Sequence, residues 1–369
     1  MTNSLPAARK FLAEFWQKKP LLARNALAQF SNVLDRARML QLACRDDVES
    51  RLVTGSRHSW RVERGPFRAR DFRQLPATNW TLLVNGLESV LPEARGLQQA
   101  FAFIPYARHD DVMASYAAPG GSVGPHFDSY DVALVQAMGR RRWRISAQSD
   151  LELVAGAPLK ILRRFRGERQ WTVSAGDVLY LPPRYAHHGV ALDECITWSV
   201  GFRAPSRRDM IERFLDFLRD QERSDETYSD PRLKPQRHAG AIGTDMFRKV
   251  KAMVKALRWN ETDIERCLGE YLTEPRAGAV FGQARRLSAQ AFSKLVQSSG
   301  VRLALPTRML TAGSRIFMNS ETTAAPPASM KILQRLADTR SLPPAQRMNT
   351  ATRVLLYEWY RAGYLEAGD

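Results

Sequence analysis

The sequence predicts an α+β protein, with a β-rich central part followed by a helical stretch and then a mixed region of helices and a hairpin. Three observations carry this. From about residue 101 to 205, short runs rich in Val, Ile, Tyr, Phe and Trp alternate with Gly/Pro turns, the spacing of an antiparallel sandwich or barrel. After Pro205 apolar residues recur at helical intervals. A length of 369 residues exceeds one ordinary core and suggests two or three domains, with boundaries near 205 and near 284.

In chain order, FLAEFWQKKPLL (11–22) reads as a short helix stopped by Pro20, and NALAQFSNVLDRARMLQLA (25–43) has helical spacing. RLVTGSRHSWRVERGPF (51–67) alternates like a hairpin, and TNWTLLVNGLESVL (78–91) reads as a helix capped by Thr78 or Asn79. In the β-rich part, AGDVLYLPP places a turn at Gly176-Asp177, a strand at Val178–Leu181 and a stop at Pro182-Pro183. Amphipathic helices follow over 207–222, 243–259 and 260–272, the first two joined by a polar stretch at 224–237. The last region reads helix (LSAQAFSKLVQSS), strand (RLALP), hairpin (SRIFMNSE) and two further helices.

Composition excludes several classes. Hydrophobic residues at 44% and charged residues at 25% are those of a folded globular chain. No apolar run is long enough for a transmembrane helix, and MTNSLPAARKFLAEFW lacks the core and cleavage site of a secretory signal. Cys44, Cys195 and Cys267 match no zinc or redox spacing, so a reducing cytoplasm with packing thiols is expected. The net charge of +17 favours polyanions such as RNA, or is a solvated basic surface.

The chemistry centres on three of the six histidines. GPHFDSYD sets His126 and Asp128 two apart, so in a strand both point to one side. PPRYAHHGV brings a second histidine on a later strand. Two imidazoles and one carboxylate form the facial triad of non-haem Fe(II) oxygenases, which leaves metal positions open for cosubstrate and dioxygen. His187 and His188 compete for the distal position, because adjacent residues of an extended segment cannot both face inward. His58, His109 and His238 have no such company and read as surface or structural residues. GRRRWRIS (139–146) puts Arg141 and Trp143 on one side and Arg140 and Arg142 on the other. An inward arginine requires an anion, and the distal carboxylate of 2-oxoglutarate suits the planar fork of Arg141.

PGGSVGPHFDSYDV, GRRRWR, AGDVLYLPP and WSVGFRAP, in that order over roughly 110–205, resemble the bacterial JmjC-type ribosomal oxygenases. Those enzymes hydroxylate an arginine of large-subunit ribosomal protein L-sixteen at its β-carbon; FWQKKPLL and YSDP (228–231) fit as well. The resemblance implies a double-stranded β-helix (jelly-roll, cupin-type) catalytic domain over 1–205, a helical dimerisation region over 206–284 and a winged-helix domain over 285–369. It implies His126, Asp128 and His187 as Fe(II) ligands and Arg141 as the 2-oxoglutarate partner. Ser115 and Thr197 are implied as further cosubstrate contacts, with two departures: Ala117 stands where a second hydroxyl is common, and Thr197 where an asparagine is expected.

The expected activity is therefore an Fe(II)- and 2-oxoglutarate-dependent protein hydroxylase that uses dioxygen, acts on a ribosomal protein and forms a homodimer. Its rivals are a demethylase of methylated lysine or arginine, a cupin holding another divalent metal, and a catalytically silent module that binds RNA or the ribosome. Nucleic acid is expected to bind only non-specifically, since SRIFMNSE carries one basic residue offset by Glu321 and the preceding helix only Lys294. The C-terminal domain is expected to be structural or protein-binding, shaping the approach of a basic substrate peptide.

Overall fold

A computed structural model of the chain describes residues 6–56, 59–282 and 287–367. His58 and the boundary expected near 284 lie outside the described residues. The chain gathers into two compact units, one built from 1–204, 275–308 and 326–369, the other from 205–274 and 309–325.

The first unit is organised by two antiparallel sheets. Its elements begin with α1 (Ala8–Glu14), β1 (Leu21–Ala23) and α2 (Arg36–Ala43). The hairpin β2 (Ser50–Ser56) and β3 (Ser59–Arg64), then β4 (Trp80–Val84) and α3 (Pro92–Gln99), come next. The remaining strands are β5 (His109–Ala117), β6 (Asp131–Met138), β7 (Arg141–Ser146), β8 (Arg169–Val173), β9 (Val178–Leu181), β10 (Ala186–Ala191) and β11 (Cys195–Phe202). The major sheet runs β1-β9-β6-β11-β5-β4-β2-β3 and the minor one β10-β7-β8. After β4 the chain crosses repeatedly between the sheets, with β5 and β6 in the major one, β7 and β8 in the minor one, β9 in the major, β10 in the minor and β11 in the major, as in a jelly roll. Trp80, Tyr116, Trp198, Tyr180, Phe101 and Phe202 fill the principal core.

Three local expectations fail. Residues 78–91 are not a helix: Trp80–Val84 is a strand buried on both faces, and Gly86 at φ 68° then starts a short 3-10 turn. WTLLV is a continuous apolar run, and its helical spacing is incidental to burial on both sides. The helical spacing of 25–43 yields only a 3-10 turn at Ala28–Phe30 and the helix α2, whose N-terminus the Asp35 carboxylate caps. His126 and Asp128 do not lie in a strand; His126 forms an isolated bridge with His187 and Asp128 follows in irregular chain.

The turn between β6 and β7 needs glycine, since Gly139 has φ 63° and a Cβ there would lie 2.1 Å from the Glu194 carbonyl oxygen. Toward its C-terminal end the same unit adds a small sheet in which Val301–Leu303 lies between Ser341–Leu342 and Leu365–Ala367. Helices Ala289–Ser299, Pro327–Thr339 and Thr350–Arg361 accompany that sheet.

The second unit holds α4 (Arg207–Gln221), α5 (Thr244–Ala256) and α6 (Glu261–Leu272), with a three-stranded meander over Met309–Ala324. Ser206 and Asn260 cap α4 and α6 through capping boxes. The meander is tied to α6 by the Arg315–Glu265 ion pair at 3.0 Å and by the Thr322 hydroxyl donating to Glu270.

Candidate functional site

The minor sheet brings the site together. In β10 consecutive side chains alternate, so His187 is 2% exposed and faces inward while His188 is half-buried on the other face against Phe165. His126 and His187 exchange both backbone hydrogen bonds, which brings their rings to 4.2 Å between centroids, tilted by 59°. The His126 Nδ1–H donates to the Gly124 carbonyl and the His187 Nδ1–H to that of Tyr185, each at 2.9 Å. This assignment leaves both Nε2 lone pairs for a metal. Asp128 completes the set, its Oδ2 3.7 Å from His187 Nε2. One donor atom from each of the three lies within 4.8 Å of the others.

Burial, reinforced by the neighbouring His126, pushes the His187 imidazole down to about 4, although Asp128 acts the other way. The ring is therefore neutral near pH 7, the form that can bind a metal. Trp143 stands 5.8 Å from it, and its ring occupies the space a side chain at position 189 would need.

Arg141 shares the inward face of β7 with Trp143 and is 5% exposed. Among the described residues its Nε and Nη2 have no hydrogen-bond partner. A buried guanidinium with unsatisfied donors is costly, and an anion from outside the chain removes that cost. Ser115 and Thr197, paired in register on β5 and β11, line the same cavity of about 640 Å³. The Thr197 hydroxyl donates to Gln136 Oε1 at 2.9 Å, so it faces the cavity as an acceptor, whereas Ser115 makes only a long 3.4 Å bond to the Thr197 carbonyl. The donor set and the orphaned guanidinium together fit a metal and a dicarboxylate.

Sequence reasoning missed the opposite wall, where Asp110, Asp111, Met113 and Tyr130 line the cavity. Beneath them, Glu88 is buried and pairs with Arg276 at 2.9 Å and Arg308 at 3.4 Å, while Arg276 stands 3.6 Å from Asp111. Burial pushes the Asp111 carboxyl up to about 7 despite Arg276, with Glu88 and Asp110 adding to the rise. No local signal announces these residues, because Arg276 is far from the rest in sequence. Of the other histidines, His109 is structural, its Nε2 3.0 Å from the Ile104 carbonyl and its ring against Phe202, and His238 is exposed. Cys195 and Cys267 are buried, Cys44 is exposed, and all three are free thiols.

Residues 96–210 match the family model described as JmjC domain, and residues 256–366 the ROXA-like winged helix. The chain is 34% identical over 267 residues to the ribosomal protein uL16 3-hydroxylase of Escherichia coli, covering 72% of this chain and 71% of that one. It is 41% identical over 207 residues to a probable ribosomal oxygenase of Haemophilus influenzae, covering 55% and 51%. Among solved structures it resembles E. coli YcfD, with TM-score 0.83 and 29% identity over 98% of each chain. It is also similar to YcfD in complex with cobalt and 2-oxoglutarate, at TM-score 0.80 and 29% identity over 98% of each.

Proposed function

The chain belongs to the JmjC-type ribosomal oxygenases, and from that premise we propose that it hydroxylates an arginine side chain of a large-subunit ribosomal protein, using Fe(II) and 2-oxoglutarate. One observation carries the reading: three converging metal donors beside a buried arginine with unsatisfied donors. His126, Asp128 and His187 hold the metal, and Arg141 binds the distal carboxylate of 2-oxoglutarate, with Ser115 and Thr197 on the adjacent wall. When bound, iron, 2-oxoglutarate and dioxygen supply the oxidising chemistry that turns a C–H into a C–OH, with succinate and carbon dioxide as coproducts.

The chain's own residues bind, orient and exclude water. The Gly124 and Tyr185 carbonyls fix the ligand tautomers, Trp143 shields His187, and the fork of Arg141 fixes the pose of the dicarboxylate. Asp110 and Tyr130, with Asp111 beside Arg276, give the opposite wall a carboxylate and a flat surface suited to a guanidinium.

The wider reading follows the same premise. The catalytic domain spans 1–205, the dimerisation helices 206–284 and the winged helix 285–369, in a cytoplasmic homodimer. Among the described residues no helix is long and apolar enough to cross a membrane. Exposed apolar side chains on α5, Phe247, Val250 and Val254 among them, recur at helical spacing and suit a subunit contact. The winged helix binds duplex DNA no more tightly than roughly 10⁻⁴–10⁻⁶ M.

The test is succinate release from 2-oxoglutarate together with metal content. His126→Ala, Asp128→Ala and His187→Ala each lose metal and turnover, while His188→Ala keeps most of both. Retention of turnover by any of the first three refutes the ligand assignment.

A further inference from the structure

The minor sheet has a second face. Register places Arg142 and Arg144 of β7 outward, beside Gln170 and Thr172 of β8 and His188 of β10. The segment joining β7 to β8 is pinned by the Leu162 N–H donating to the Pro125 carbonyl at 2.8 Å. It gives Leu153, Leu159 and Lys160 to the cavity wall and leaves Arg163, Arg164 and Arg166 exposed. Residues 139–169 hold nine Lys or Arg against three Asp or Glu, and only Arg141 among those cations is buried.

Pairing separates these arginines. Arg140, Arg163 and Arg164 have carboxylate partners in Asp193, Glu152 and Asp150. Arg142, Arg144 and Arg166 have none among the described residues. The Arg144 guanidinium lies over the Phe165 ring, 5.5 Å from its centroid, and the His188 ring meets the same phenyl edge-on. An arginine fork over a half-buried aromatic, with two further unpaired arginines close by in the chain, suits phosphate groups and the bases they carry.

The two sides of the sheet differ in charge. The cavity lining is mixed, with Asp110, Asp111 and Asp128 beside Arg51, Arg141, Lys160 and Arg276, so it offers carboxylates to a basic side chain, whereas the unpaired arginines of the outer face repel a basic protein. A basic protein already bound to RNA satisfies both zones, with its side chain in the cavity and RNA phosphates on the outer face. We propose that the outer face of the minor sheet, with residues 163–166, is an RNA-binding surface through which the protein takes its ribosomal-protein substrate as part of a ribonucleoprotein. The proposal rests on the hydroxylase reading for the identity of the substrate, but the surface itself is tested without turnover.

The test is fluorescence anisotropy of a labelled ribosomal RNA stem-loop across a salt series, using the full-length protein. Replacing Arg142, Arg144 and Arg166 together with Glu should weaken binding at least about tenfold and lower the slope of log affinity against log salt by about 2–3. The triple Gln variant, which removes charge without reversing it, should fall between; it also serves if the Glu variant does not fold. Lys331→Glu, an exposed cation elsewhere on the chain, should stay within about twofold of the unaltered protein. Hydroxylation of a free substrate peptide should be unchanged in the arginine variants. No binding by the unaltered protein, equal loss in Lys331→Glu, or capture by phosphatidylserine vesicles in preference to RNA would each overturn the proposal. Any of these leaves peptide hydroxylation, and with it the hydroxylase reading, to stand on its own.

Discussion

At the scale of single residues, the strongest constraint is the guanidinium of Arg141. Among the described residues its Nε and Nη2 lack partners in a buried setting, which is what supports the proposal that this side chain holds a ligand. Truncating one partner of a buried charge pair costs about 2–5 kcal/mol, so Arg141→Ala should raise the KM for 2-oxoglutarate roughly thirty-fold or more. Arg141→Lys should recover little, because a single ammonium cannot reproduce the bidentate fork. Titration of initial rates against 2-oxoglutarate decides it, and an unchanged KM would remove Arg141 from the site. The inward side of RRRWR is legible in the sequence because a strand alternates. So is the separation of His187 from His188, once one of them is known to face in. Asp110, Asp111 and Tyr130 are not legible as a set, because their convergence on one wall depends on strands folding over one another. Arg276 is a further case, paired with Glu88 across 188 positions of sequence.

At the scale of elements, His109 at the start of β5 shows how a histidine without ligand company behaves. It is 4% exposed, and burial pushes it down to about 4. A folded-state pKa below the unfolded value of about 6.5 gives stability that is present above pH 6.5 and is lost as pH falls toward 4. Between pH 7 and pH 4.5 the protein should therefore lose about 2–3 kcal/mol more unfolding free energy than His109→Gln. Urea denaturation at the two pH values measures this; equal losses would mean that the ring takes up its proton as readily in the fold as in the unfolded chain. Strand texture is legible where one face is buried, as in β7, whose burial alternates along most of its length. It misleads where both faces are buried, as in WTLLV, since a continuous apolar run has no period to read. The irregular chain at Asp128 escapes sequence reading for a related reason: its position is set by the His126–His187 bridge, a long-range contact.

At the scale of the whole molecule, the order of textures along the chain and the linked motifs make the fold class legible. Oligomeric state rests instead on surfaces left open by one chain. Phe247 and Val254 of α5 are each 63% exposed, which is unusual for apolar residues that share one helical face two turns apart. Light scattering at micromolar concentration should give twice the 41.8 kDa chain mass, and Phe247→Asp with Val254→Asp should give the monomer. A monomer mass for the unaltered protein would refute the dimer. The central claim, that this chain places a hydroxyl on a ribosomal protein, is tested most directly by intact-protein mass spectrometry of large-subunit proteins from cells with and without the gene. One ribosomal protein should gain the mass of a single oxygen atom on an arginine when the gene is present, and should lose that gain when the gene carries His126→Ala. Identical ribosomal-protein masses in the three strains would contradict the claim.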